Sequence, residues 1–120
     1  MADAGLFVGW GTPVRGREET GLDVFAEALA FQATLEQEGA IESFEVVLLG
    51  PHGGGLNGFI LCRGSSEQMA AVRAREEFAR INTRAAMVVD DLGVIDAALG
   101  DGVEEQLGTY RAAIDALVPA

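Results

Sequence analysis

The stretch from Ile41 to Gly64 constrains the fold more than any other part of the chain. It contains two apolar runs, 44–49 and 59–62, that are rich in residues favouring β-strands. The segment between them is rich in glycine and also holds Pro51 and His52, with no apolar periodicity. Such a segment between two apolar runs predicts a β-hairpin.

The first predicted strand of this hairpin is apolar on both faces. Its apolar side chains are Phe44, Val46 and Leu48 on one face and Ile41, Val47 and Leu49 on the other. An antiparallel sheet with one solvated face alternates more cleanly between apolar and polar residues. We therefore expect the second face to be covered too, by another subunit or over a pocket.

The rest of the chain alternates between strand-like and helix-like patterns. The predicted elements are a strand over 6–10, a helix over 17–38, the hairpin, two short helices between 65 and 88, a strand over 94–99 and a helix over 103–117. Gly39 is placed to cap the first helix, and Ser65 with Gln68 forms a capping-box pattern. In the last helix, apolar residues recur at spacings of three and four.

This order, β-α-β-β-α-β-α, predicts an α+β fold. Two β-α-β halves with right-handed crossovers give a four-stranded antiparallel sheet with helices on one face, the ferredoxin-like arrangement with strand order 4-1-3-2. We expect a single domain over 1–120, with a core over about 5–100 and an added C-terminal helix over about 103–117.

The charge and cysteine content exclude several classes of partner. The net charge is −11 and the chain has no lysine, so most of its surface would repel nucleic acid or an anionic membrane. Cys62 is the single cysteine, so no disulfide can form within one chain, which fits a reducing cytoplasm. The first ten residues lack the pattern of a secretory signal, and no apolar run approaches the roughly 20 residues of a membrane span.

The element order, the long first helix and the split second helix resemble the dimeric α/β-barrel proteins. These include the stress-responsive barrel proteins, the YCII-related proteins and the antibiotic-biosynthesis monooxygenase-like domains. The stretch from Glu67 to Val94, with its helix, polar break, helix and short strand, is the part most similar to YCII-related proteins. The resemblance covers about residues 5–100 and implies a homodimer in which two helix-free sheet faces pack together. Members of the group include cofactor-independent enzymes, haem-handling enzymes and proteins with no known activity.

Two residues are candidates for moving a proton. His52 is the only histidine and lies in the glycine-rich turn, where a hairpin turn or a loop that closes on a ligand is the simplest interpretation. Asp96 interrupts the apolar strand over 94–99, so its carboxylate must be exposed, paired or perturbed. Exposure at a sheet edge is the structural alternative to catalysis.

Four residues are candidates for contacting a ligand. Trp10 ends the first strand and is either a core or interface aromatic or a pocket wall. Arg63 either forms a cross-strand ion pair with Glu45 or binds a ligand carboxylate. Asn57 lies in the turn. With the first and third strands taken to run in the same direction, we expect Trp10 and Arg63 at one end of the sheet, and His52, Asn57 and Leu99 at the other.

No metal or cofactor site is predicted. The acidic residues over 90–105 lack the spacing of a calcium loop, and the chain has no phosphate loop or dinucleotide fingerprint. Haem ligation by His52 is disfavoured because a histidine flanked by glycines is a poor rigid ligand.

Two functions remain open at this point. The first is a cytoplasmic homodimer that binds a small apolar or aromatic molecule without catalysis. The second is an oxygenase, isomerase or lyase that needs no cofactor, in which Asp96 or His52 moves a proton and Arg63 or Trp10 positions the substrate. A titratable group beside the apolar wall of a cavity would favour the enzyme.

Overall fold

The computed structural model describes residues 2–118 and confirms the predicted element order. The elements are β1 (Ala4–Trp10), α1 (Glu18–Gln37), β2 (Ser43–Leu48), β3 (Gly58–Gly64), α2 (Ser66–Arg73), α3 (Glu76–Ala86), β4 (Gly93–Ala98) and α4 (Asp101–Leu117). The bend expected around residues 73–75 separates α2 from α3.

The four strands form one antiparallel sheet in the order β2-β3-β1-β4. Read from the other edge, this is the predicted order 4-1-3-2. The chain thus has the ferredoxin-like α+β fold, with α4 added after the last strand.

The expected directions of β2 and β3 are wrong, because β3 was taken to run the same way as β1 and β2 the opposite way. β3 pairs antiparallel with both β1 and β2, so β1 and β2 run the same way and β3 runs against them. The reason is the crossover through α1, which returns the chain parallel to β1 and leaves room for β3 between the two strands. Trp10 therefore lies opposite Gly58, beside the β2–β3 loop, whereas Arg63 lies opposite Gly5 at the other end of the sheet.

The hydrophobic core lies between the sheet and the three helices α1, α2 and α3. Alternate residues of the central strands point into it, and the helices contribute one apolar face each. The buried cluster consists of Leu6, Val8, Phe31, Leu35, Ile41, Cys62, Met69, Val72, Phe78 and Ile81. Ile60 of β3 is also buried.

The helix ends follow the predicted capping. Gly39 adopts φ +76° just after α1, a conformation that favours glycine. At the start of α2, the Gln68 N–H donates to Ser65 Oγ (3.1 Å), and the Ser65 N–H donates to Gln68 Oε1 (2.8 Å). The Gln68 side chain also donates to the Gly39 carbonyl at 3.1 Å, which ties α2 to the end of α1.

The opposite face of the sheet is apolar and carries no helix in the described part of the chain. We call it the helix-free face; its large apolar side chains are Phe7, Val47, Phe59, Leu61 and Ile95. The Phe7 and Phe59 rings stack with centroids 4.8 Å apart. Gly9 makes this possible, because a Cβ there would lie 2.6 Å from the Phe7 ring. The result is a flat apolar surface, as the sequence predicted from the doubly apolar strand.

Helix α4 stands away from this body. Every residue of α4 except half-buried Gly102 is exposed. The radius of gyration is 16.7 Å, with extents of 59 × 37 × 24 Å. A compact chain of this length would have a radius of gyration of about 14 Å. The projecting helix explains the excess.

Candidate ligand-binding site

An apolar cavity of about 240 Å³ lies between the sheet and helices α1 and α3. It is on the helix-covered side, inside one protomer, rather than between two sheets. Its apolar lining comprises Val8, Trp10, Leu48 and Ile60 from the sheet, Leu22, Val24, Phe25 and Ala28 from α1, Ile81 and Ala85 from α3, and Pro13, Val88, Val89 and Leu92 from the connecting segments. The volume exceeds the ~150 Å³ that accommodates a benzene molecule in a protein core. The space therefore suits a molecule with one or two rings.

The cavity exists because small residues face one another where α1 and α3 approach. Gly21, Ala28 and Ala85 all line it. A Cβ placed on Gly21 would already lie 3.8 Å from the Val88 side chain, so the helices are close at this point. Further along, the alanines leave space that Val8 and Ile60 of the sheet do not fill.

Hydrogen bonds and an ion pair hold the two helical walls in place. Arg17, at the start of α1, donates from Nη1 to the Met87 carbonyl at the end of α3 (2.7 Å). Arg84 of α3 forms an ion pair with Glu27 of α1. The wall positions are thus fixed without side chains filling the space between them.

One end of the cavity is closed by two short segments that pair with each other. The segment after β1 bonds to the segment after α3, with the Val14 N–H donating to the Val88 carbonyl (2.8 Å) and the Asp90 N–H donating to the Thr12 carbonyl (2.9 Å). Pro13 and Val89 form the bridge between them. Both residues contribute to the lining.

Trp10 is the one sequence-predicted candidate that reaches this cavity. Its ring meets Phe25 of α1 edge-on, with centroids 5.6 Å apart and planes at 67°. Gly58 lets the indole lie close to β3, because a Cβ there would come within 2.8 Å of Trp10 Cζ2. The Asn57 N–H donates to the Trp10 carbonyl (2.8 Å), so the end of β1 is joined to the β2–β3 loop.

Two leucines beside the cavity are unusually exposed. Leu22 of α1 and Leu48 of β2 keep 69% and 68% of their surface in solvent, although both line the cavity. Large apolar side chains exposed beside an apolar pocket are typical of a mouth that an apolar ligand or partner covers.

Polar side chains in the lining are few. They are Glu18 at the start of α1 and Asn82 of α3. The Glu18 carboxylate accepts a hydrogen bond from the Gly16 N–H at 2.8 Å. This arrangement can orient a ligand by one or two hydrogen bonds while the remaining wall excludes water.

His52 does not line the cavity, and its ring is used by its own loop. The Gly54 N–H donates to Nδ1 (3.1 Å), and Nε2 lies 2.5 Å from the Leu56 carbonyl. Since Nδ1 accepts, Nε2 carries the proton and donates to Leu56. His52 therefore stabilises the turn. The loop nevertheless lies at the Trp10 end of the sheet, so the expectation that His52 and Trp10 lie at opposite ends is wrong.

Asp96 lies on edge strand β4 and is both exposed and paired. Its Oδ1 accepts from Arg73 Nε of α2 at 2.8 Å, and 80% of the side chain remains in solvent. Asp96 and Arg73 line a second, polar cavity of about 350 Å³, between α2, β4 and the first turns of α4. Asp3 also lines it, with a buried Oδ1 that has no hydrogen-bond partner. Asp96 and Arg73 already pair with each other. A ligand in this cavity would have to break that ion pair before it could bind either side chain fully.

Arg63 and Glu45 form a cross-strand ion pair on the helix-free face, one of the two alternatives considered for Arg63, with Nη2 and Oε1 2.6 Å apart. The pairing is diagonal, because Arg63 lies opposite Ser43 and Glu45 lies opposite Leu61. Neither residue lines the apolar cavity. Asn57 does not line it either, and its backbone N–H bonds to the Trp10 carbonyl. The six candidate residues therefore do not converge on one site.

The described residues contain no group of three or more histidine, cysteine or acidic side chains that could hold a metal ion. Cys62 is a free thiol in the core, where its Sγ lies 3.9 Å from Met69 Sδ. Burial raises the pKa of this thiol to about 11. The thiol is therefore protonated at neutral pH and is not a nucleophile. Within residues 2–118, no helix is long and apolar enough to cross a bilayer.

Sequence reasoning missed most of the cavity. The sequence predicts that Phe25 and Ala28 belong to the broad apolar face of the first helix. It predicts that Val88 ends the apolar stripe of the helix before the last strand. The available signal was the set of small residues, Gly21, Ala28 and Ala85, within otherwise bulky helix faces. Apolar periodicity alone shows that a face is buried, not whether the facing side chains fill the space.

Comparison with solved structures shows that the fold is shared with dimeric ferredoxin-like proteins of unknown function. One from Jannaschia sp. CCS1 matches with a TM-score of 0.62 and 13% identity, covering 80% of this chain and 99% of that one. One from Bacteroides fragilis matches with a TM-score of 0.60 and 14% identity, covering 80% and 95%. SnoaB, a cofactor-independent oxygenase from Streptomyces nogalater, matches with a TM-score of 0.50 and 19% identity, covering 82% and 93%. No protein-family model matches the chain, and no curated protein matches it.

Proposed function

We propose that this protein is a homodimer that binds a small, uncharged apolar or aromatic molecule in the cavity beneath α1 and α3. The observation that carries the proposal is the cavity itself. It has an apolar wall and two exposed leucines beside it, and its few polar side chains include Glu18 and Asn82. Ligand sites combine an apolar concave wall with a few polar groups in this way.

The charge of the protein indicates which ligands are excluded. The chain carries a net charge of −11, and Glu18 lies in the lining. An anionic ligand would be repelled by the overall field and by this carboxylate. A neutral aromatic with one hydroxyl group fits better, because Glu18 or Asn82 can accept a hydrogen bond from that hydroxyl group.

The homodimer is proposed on separate grounds. The helix-free face exposes a flat apolar surface around Phe59 and Ile95. The solved proteins of this fold from Jannaschia and Bacteroides fragilis are described as dimeric. Burying the helix-free face against that of a second copy would remove this surface from water.

The test is titration calorimetry with 1-naphthol on the wild type and two alanine variants of α1. Ala28 lines the cavity, so Ala28→Leu fills the space and should weaken binding at least tenfold. Ala30 is exposed on the same helix, so Ala30→Leu should leave the affinity unchanged. Burial of the ring also predicts a negative heat-capacity change on binding.

Two results would count against the cavity as the site. One is equal affinity in Ala28→Leu and Ala30→Leu. The other is no binding of 1-naphthol, indole or p-xylene to the wild type. Thermal melting of each variant shows whether a lost affinity reflects lost folding, because Ala28→Leu adds volume next to the core.

A cofactor-independent oxygenase, isomerase or lyase is the alternative, supported by the shared fold with SnoaB. Such an enzyme needs a proton acceptor beside the apolar wall, and Glu18 has that position, whereas Asp96 and His52 lie outside the cavity. Oxygen uptake during incubation with 1-naphthol would favour the oxygenase over simple binding.

A further inference from the structure

Helix α4 carries a narrow apolar stripe that stays exposed among residues 2–118 of its own protomer. The stripe consists of Val103, Leu107, Tyr110, Ile114 and Leu117, spaced by four, three, four and three residues. This is the heptad spacing of a coiled-coil seam. The five side chains are between 38% and 83% exposed, so the seam has no partner among the described residues.

The sequence of α4 makes a partner necessary. The helix has 17 residues, and two of them, Gly102 and Gly108, lie inside it. Glycine disfavours the helical conformation relative to alanine, and Gly108 lies in the helix interior. Isolated helices of about 12–15 residues are already marginal in water. Helix α4 contacts its own protomer near its start, where Gly102 approaches the Asp3 carbonyl. The remaining turns need stabilisation from outside.

The charges beside the stripe identify a suitable occupant. Glu104 and Arg111 are seven residues apart, so they flank the same side of the stripe two turns from each other. In an antiparallel pair of α4 helices that places Leu107 beside the partner's Tyr110, each Arg111 faces the partner's Glu104. A parallel pair would not bring these charges together, and sliding the antiparallel pair by one heptad would oppose Arg111 to itself. Electrostatic complementarity thus favours one orientation and one register.

Other occupants fit less well. The acidic residues of α4, Asp101, Glu104, Glu105 and Asp115, outnumber its single arginine, so an anionic membrane surface would repel it. A two-in-seven seam also matches one partner helix rather than a broad surface. The solved relatives match only about 80% of this chain, which is close to the length of the part that ends with β4.

We propose that α4 is an assembly arm that pairs antiparallel with α4 of a second copy of this chain through the stripe from Val103 to Leu117. This contact is separate from the helix-free face and from the ligand cavity, so its failure and theirs are distinguishable.

Sedimentation equilibrium of the full chain tests the apolar seam. Leu107 is at the centre of the stripe and Ala112 is on the opposite side of the helix, both exposed. Leu107→Glu should raise the dissociation constant of self-association at least tenfold, while Ala112→Glu should leave it unchanged. The same pair is also compared with Ile95→Glu present, which removes the contribution of the helix-free face. Identical constants for Leu107→Glu and Ala112→Glu in both backgrounds would overturn the proposal.

A charge exchange tests the orientation. Glu104→Arg and Arg111→Glu should each weaken association, and the double variant should restore at least half of the loss in log affinity. Arg111 also pairs within its own helix with Asp115 (3.5 Å), so Asp115→Ala controls for that contact and should have little effect. A double variant no tighter than either single variant would rule out the antiparallel pairing. Thermal melts followed by Trp10 fluorescence check that each variant stays folded. No loss of folding is expected, because the substituted positions are exposed and outside the core.

Discussion

At the scale of single residues, glycines in the sheet leave room for neighbouring aromatic rings, because they have no side chain. Gly58 leaves room for the Trp10 ring against β3, and Gly9 leaves room for the Phe7 ring on the other face of the sheet. The two aromatics thus point to opposite sides of one sheet, Trp10 toward the apolar cavity and Phe7 toward the helix-free face. Neither glycine has an unusual φ, so the requirement is for space rather than for backbone freedom.

Gly58→Ala should destabilise the protein by about 1–3 kcal/mol, as small-to-large changes in packed sites do. The new Cβ would lie 2.8 Å from the Trp10 ring and 2.9 Å from the Val47 carbonyl oxygen, and the latter belongs to backbone that cannot easily move. Urea denaturation followed by Trp10 fluorescence measures the change in the free energy of unfolding. Gly50→Ala is the matched control, because a Cβ there meets nothing within 4 Å. A similar loss in both variants would show that the Trp10 contact is not the cause.

Cys62 should make stability fall at alkaline pH. Burial raises its pKa from 9.0 to about 11, so the unfolded chain loses the thiol proton at a lower pH than the folded chain does. The contribution is fully present below pH 9 and is lost as the pH rises toward 11. One pKa unit corresponds to about 1.4 kcal/mol, so the loss is about 1.4 kcal/mol at pH 10 and reaches about 2–3 kcal/mol above pH 11. Urea denaturation at pH 8, 9 and 10 measures it, and Cys62→Ala should have a flatter profile. A wild-type profile as flat as that of Cys62→Ala would show that the thiol is not buried as described.

At the scale of elements, the break between α2 and α3 determines how α3 lies against α1 across the apolar cavity. A straight helix would continue past residue 75 in one direction, whereas the break at Arg75, with extended backbone (ψ 132°), lets α2 and α3 each place two side chains in the core. Arg75 pairs with Glu38 at the end of α1, which holds the break against the neighbouring helix. Helix α3 can then face α1 across the cavity.

Ser65→Ala should cost about 1 kcal/mol, the usual effect of removing a helix N-cap side chain. The change removes the bond from the Gln68 N–H to Ser65 Oγ, while the backbone N–H of residue 65 can still donate to Gln68 Oε1. The melting temperature and far-ultraviolet circular dichroism report the loss. Ser66→Ala, one residue later and exposed, should change stability by less than about 0.5 kcal/mol. Equal effects at both serines would contradict the capping role.

At the scale of the whole molecule, two apolar surfaces remain on one protomer, the helix-free face and the α4 stripe. They differ in shape, one flat and the other a narrow seam, so they suit different contacts. The apolar cavity is on the other side of the sheet from the helix-free face, so dimerisation through that face would leave the cavity accessible.

Ile95→Glu should raise the dissociation constant of the dimer at least tenfold. Ile95 is 55% exposed on the helix-free face, and a two-fold contact would bury two copies of the new charge without partners. Met87 is 57% exposed after α3, away from that face, so Met87→Glu is a control of matched exposure. Sedimentation velocity at several concentrations distinguishes them. If both variants associate like the wild type, the helix-free face is not the interface.

The sequence was sufficient to predict the element order, the capping of α1 and α2 and the strand order of the sheet. The elements and their caps follow from local patterns: apolar spacing, glycine placement and the capping pair Ser65 and Gln68. The strand order follows from the handedness of the β-α-β crossovers. The Glu45–Arg63 ion pair was one of two alternatives that the sequence left open for Arg63, and the structure contains it. By contrast, the sequence interpretation placed Trp10 beside Arg63, because it took β3 to run parallel to β1 and β2 to run against it, whereas the reverse holds.

The sequence by itself determined that this chain builds a sheet apolar on both faces, since residue type and spacing alone decide which side chains share a face. Only the tertiary structure decided where a cavity opens and which candidate residues reach it. A cavity is the space left over when elements from distant parts of the chain meet. The gap beside Ala28 therefore depends on how closely α3 approaches α1, and no local pattern contains that distance.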